Sequence, residues 1–166
     1  MRDTKRLVML GLFVSMGLAL HIVERMIPVP FIAPGAKLGL SNIITLTVLM
    51  SLGFKDAFSV LVVRIILGSI FGGGVSGFIY SISGGILSIL SMALIRIVGG
   101  QRVSVIGISV TGAVFHNIGQ LMAAALIVKN INLFVYLPVL LIAAVGTGIF
   151  VGMTTKFLLS YLSVSD

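Results

Sequence analysis

The sequence contains no cysteine and only four acidic residues among 166. Without cysteine there is no disulfide framework and no thiolate metal site. Charged residues of both signs make up 9% of the chain, where a soluble domain carries about a quarter. Water-compatible groups on that scale cannot cover a surface, so lipid is the expected solvent. Only two aspartates, Asp3 and Asp56, precede the last residue, and neither neighbours another. That excludes the aspartate-rich motif that holds magnesium and diphosphate, because hard cations need several oxygen ligands. Glu24 and Asp56 fall at opposite ends of the expected bundle, so no carboxylate pair is available for acid–base chemistry. The pattern GxxxxGK[ST] is missing, which excludes ATP hydrolysis on a P-loop. The two histidines, His21 and His116, stand on different spans far apart in the chain, so a metal site is poorly supported. No cofactor and no catalytic activity are expected.

What the chain does have is apolar length. Hydrophobic residues form 58% of it, and crossing ~30 Å of hydrocarbon takes about 20 helical residues. Six segments qualify, at about 7–26, 39–53, 57–72, 75–95, 104–128 and 134–159. The expected fold is all-α: a single transmembrane domain, 1–166, built as an integral membrane six-helix bundle. The second and third segments are short and are expected to be tilted, broken or partly re-entrant. The first follows a basic start, MRDTKR, but no small-residue cleavage site comes after it, so it is expected to remain as a span.

The formal charge of +7 is read as membrane topology, with no nucleic-acid partner. With the N-terminus inside, the inner face collects Arg2, Lys5, Arg6, Lys55, Arg96, Arg102 and Lys156. The outer face collects Arg25, Lys37 and Lys129, and Arg64 is left within a span. Seven against three places both termini in the cytoplasm.

Polar groups inside apolar spans are the candidates for function. Arg64 lies roughly 10 Å into its span, where an arginine costs about 2.5–3.5 kcal/mol to insert. It is expected to face the bundle interior and meet either an anionic ligand or a structural partner such as Glu24. His116, Asn117 and Gln120 sit near the middle of the fifth span, with His116 and Gln120 on one face. They either bond across helices or line a polar cavity. Glu24, Arg25 and Lys37 are expected at the outer mouth, with Asn42 at the start of the second span. The positive excess there favours an anionic or zwitterionic ligand with an apolar body.

The segment PVPFIAPGAKLGLSN, 28–42, holds three of the four prolines. It is either a plain connector or a structured lid over an outward-facing pocket. Glycine and serine pairs four apart, such as Gly68/Gly72, Ser81/Gly85 and Gly148/Gly152, are read as helix-packing faces. Gly11 and Ser15 form a similar pair on the first span, serving either intramolecular packing or the docking of a partner.

The stretches VERMIPVPFIAPGAKLGLSNIITL, RIILGSIFGGGVSGFIYSISGG and GAVFHNIGQLMAA resemble the Gx transporter family, also labelled heptaprenyl diphosphate synthase component I. That family is similar to the substrate-binding S components of energy-coupling factor (ECF) transporters. The resemblance implies a six-helix protein of the cell membrane that captures a small molecule from outside. A separate coupling protein and two ATPases would drive its release inward. It also implies that residues 28–38 cover the ligand and that Gly11 and Ser15 lie on the docking face. The other label implies a noncatalytic membrane subunit of a polyprenyl diphosphate synthase, or of a flavin- or quinone-linked electron-transfer assembly. A transport subunit calls for an enclosed cavity under 28–38, reached by Arg64 and His116. A scaffold calls for those groups paired and no cavity.

Overall fold

The computed structural model describes residues 2–26 and 39–162. These residues are all-helical, with no strand among them. The helices are α1 (Arg2–Met26), α2 (Asn42–Ser51), α3 (Phe54–Gly68), α4 (Gly74–Gly99), α5 (Val105–Val128) and α6 (Leu137–Leu162). A single π-helical turn, Ser69–Gly73, joins α3 to α4. It ends on Gly74, whose φ of 61° is open to glycine and strained for other residues.

Four stretches, in α1, α4, α5 and α6, are long and apolar enough to cross a membrane. Their outward faces carry large apolar side chains such as Leu12, Leu94, Leu126 and Ile142. The chain is therefore a multi-pass membrane protein: lipid tails, and not water, cover these faces.

α2 is different. Its ten residues rise only about 15 Å, half of a bilayer's hydrocarbon. Every residue from Ile43 to Leu49 is buried, because α1, α3, α4 and α6 all pack against it. An apolar helix wrapped on all sides needs no amphipathic stripe. Its carbonyl end is met by another element. The Arg96 guanidinium of α4 donates to the carbonyl of Leu49 and, at 3.5 Å, to that of Met50. This places a cation at the negative end of the α2 dipole. Thr155 of α6 donates to the Ile43 carbonyl at 3.4 Å. Removing the first of these ties, with Arg96→Gln, is expected to lower stability by about 1–3 kcal/mol. Unfolding of the purified protein in mild detergent measures it.

Glycine sets the distances between the long helices. A Cβ on Gly84 would lie 2.8 Å from the His116 carbonyl, and one on Gly119 2.7 Å from the Ser83 carbonyl. On α6, Gly148 and Gly152 meet the backbone of Val110 and Ile106 at the same 2.7 Å. α4, α5 and α6 are thus joined backbone to backbone, with little freedom to separate. α1 is looser. It lies along α3, with Gly17 against the Arg64 side chain and His21 against Gly68. Arg6 Nη2 donates to both carboxylate oxygens of Asp56, at 2.7 and 2.9 Å, and ties their starting ends.

Candidate functional site

Two polar clusters interrupt the apolar interior, and Gly39–Asn42 touches both. The first is a cavity of about 20 Å³, room for about one water molecule. Its wall includes Asn42, Ser88, Ser109, His116, Asn117 and Thr147, with Met92 and Val151 as apolar patches. Ser88, His116 and Thr147 each lie near the middle of a long helix, so the cavity sits at mid-depth. The N-terminus of α2 opens onto it through Gly39 and Asn42. No charged side chain lines it among the described residues.

The cavity wall holds unspent hydrogen-bonding capacity. Ser109 is 3% exposed, and its Oγ has no partner among the described residues. Asn117 donates to the Leu140 carbonyl at 3.0 Å, and its amide oxygen remains an acceptor. A buried hydroxyl without a partner costs about 1–3 kcal/mol, so a guest offering hydrogen bonds is favoured here.

The second cluster lies between α1, α3 and the start of α2. Arg64 is buried and donates to the Ser41 hydroxyl at 2.5 Å. Glu24, also buried, provides the opposite charge acting on Arg64. Glu24 Oε1 also accepts the Gly39 N–H. Ser41 stands at the N-cap of α2 but makes no capping bond with its side chain; its hydroxyl accepts from Arg64 instead.

This arrangement divides the residues expected to share one pocket. Asn42, His116 and Asn117 line the cavity. Arg64 does not: it stands with Glu24 and Ser41, because a guanidinium at this depth settles where a carboxylate and a hydroxyl face it. Gln120 is buried one turn from His116 and packs on Gly84, outside the cavity lining. Its Nε2 has no partner among the described residues. The side chain of Arg25, together with Lys37 and the 28–38 lid, lies outside the described residues. Gly11 and Ser15 are exposed on α1, with nothing within 4 Å of a Cβ on Gly11. That face packs on no other part of the described chain.

Ser88, Ser109 and Thr147 were not legible as site residues. Serine and threonine are frequent in membrane helices and usually bond back to their own helix, as Thr111 does to Gly107 at 3.0 Å. Nothing local marks the ones that face a cavity.

The family described as heptaprenyl diphosphate synthase component I matches residues 13–158. The match spans most of the chain, from the first half of α1 almost to the end of α6. The chain belongs to the heptaprenyl diphosphate synthase component I family. No curated protein and no solved structure matches it. Both polar clusters of this component I chain fall inside the matched range. Its described residues contain no group of three His, Cys, Asp or Glu side chains placed to hold a metal ion.

Proposed function

We propose that this component I protein is the membrane-embedded substrate-binding subunit of a small-molecule uptake transporter. It would sit in the cell membrane as a six-span bundle with both termini cytoplasmic. The observation that carries this reading is α2: a half-length helix whose N-terminus opens, at mid-depth, onto a small cavity with polar groups in its wall. Interrupted helices whose positive ends face a midplane site are how membrane transporters hold anionic groups. The dipole of α2 favours an anionic or strongly polar end on the ligand. Met92, Ala113 and Val151 suit an apolar body. Residues 28–38 would cover the ligand from outside. The exposed Gly11–Ser15 face of α1 would dock an ECF coupling protein, with its ATPases supplying the energy.

A second reading has its own support. The family description names a synthase component, and a groove of about 400 Å³ on the outer faces of α4 and α5 is lined by Leu87, Leu90, Leu94, Val98 and Phe115. Such a groove suits a prenyl chain held for a catalytic partner. Native mass spectrometry of gently extracted protein separates the two. The transport reading expects one retained small molecule per chain, lost when Asn117→Leu removes the cavity amide. Protein that carries no such molecule but brings down a prenyl synthase subunit would overturn it.

A further inference from the structure

A site of about 20 Å³ is far smaller than the roughly 300–1,000 Å³ of ordinary ligand pockets. If the cavity takes a ligand, one of its walls must move. The long helices are poor candidates, because α4, α5 and α6 meet backbone to backbone at Gly84, Gly119, Gly148 and Gly152. The body of α2 is tied by Thr155 and Arg96. What remains is the wall where the chain enters α2, Gly39–Asn42. Irregular backbone at this depth must be satisfied by protein groups, and here one buried ionic side chain bonds the backbone while a second holds a side chain of the same segment. Glu24 accepts the N–H of Gly39, and Arg64 donates to the hydroxyl of Ser41. Gly39 itself adopts φ 76°, a conformation that favours glycine. Its own residues close the turn through Asn42 N–H to the Gly39 carbonyl at 2.8 Å.

We propose that Glu24 and Arg64 are positioning residues. They form a latch that holds Gly39–Asn42 in place as one wall of the narrow cavity, and its release makes room for the ligand. The proposal rests on the cavity being the ligand site, but the latch can be tested without any ligand. Arg64 then acts on the site through Ser41, with no contact to the guest. Gly17 belongs to the same device: a Cβ there would lie 2.8 Å from Arg64 Cδ, so the guanidinium keeps its place only while position 17 has no side chain.

The absence of native cysteine makes a single introduced thiol the only one in the chain. Ser109→Cys puts that thiol in the cavity wall, and Leu94→Cys puts a control on the lipid-facing side of α4. Each is made in the full-length chain, reconstituted in nanodiscs, and treated with a small water-soluble methanethiosulfonate. Ser41→Ala removes the latch acceptor while leaving both charges, and Arg64→Met removes the donor. Breaking a charge-assisted hydrogen bond is expected to speed labelling of the Ser109→Cys thiol about tenfold or more. Labelling of the Leu94→Cys control stays unchanged. If Arg64→Met does not fold, Ser41→Ala alone decides. An unchanged rate at the cavity thiol overturns the latch. So does equal acceleration at both thiols, which would mean general loosening. Neither result bears on whether a ligand is retained in native mass spectrometry, so the latch and the transport reading fail separately.

Discussion

Glu24→Gln is expected to destabilise the protein by about 1–3 kcal/mol, because it removes the opposite charge acting on the buried Arg64. The substitution keeps the size of the side chain and an oxygen for the Gly39 N–H. The loss is therefore electrostatic, with little change in packing. Adding Arg64→Met to Glu24→Gln removes the stranded charge and is expected to recover most of that loss, since exchanging both ions for neutral groups is often nearly neutral. Denaturant unfolding in micelles across the four members of this double-mutant cycle measures the coupling directly. If Glu24→Gln costs no more than a surface substitution, Glu24 does not balance Arg64 and the second cluster has been misread.

The other large effect belongs to Gly119. A methyl group there would stand 2.7 Å from the Ser83 carbonyl and 2.9 Å from Gly84 Cα. Both are backbone atoms that cannot rotate away. The two helices would have to separate, opening gaps around Gln120 and His116. Gly119→Ala should cost about 3 kcal/mol, a fall of roughly 6–12 °C in the midpoint of thermal unfolding. Gly146→Ala is the matched control. Nothing lies within 4 Å of its added Cβ, so helix propensity alone acts and the change is a slight gain of about 0.5–1 kcal/mol. Equal midpoints for the two variants would show that α4 and α5 are not set by glycine contact.

The contrast between these glycines shows how far the sequence could be read. Gly148 and Gly152 stand four apart, a spacing that marks a packing face, and both meet α5 backbone. Gly84, Gly112 and Gly119 make contacts as tight but went unremarked. Gly112 and Gly119 are seven apart, also one helix face, and that spacing was the available signal. Arg96 shows a different limit. By position it belongs with the inner-face cations, and its particular partner is the carbonyl end of α2. A long, flexible side chain near a helix end takes whichever acceptor the fold brings close, and no local pattern names that acceptor.

The chain's own residues determined the helical class, the membrane as solvent, and which polar groups stand among apolar neighbours within the helices. Each of these follows from local quantities: hydropathy over a window, the scarcity of charge, and the cost of placing Arg64 or His116 among apolar neighbours. Only the tertiary structure decided how those groups are partitioned. It put His116 and Asn117 with Asn42 at a cavity, sent Arg64 to Glu24 and Ser41, and added Ser88, Ser109 and Thr147. The physical reason is that a hydrogen bond or an ion pair depends on which helix faces which across a few ångströms. In this bundle, glycine contacts between helices that are distant in the sequence help set that arrangement.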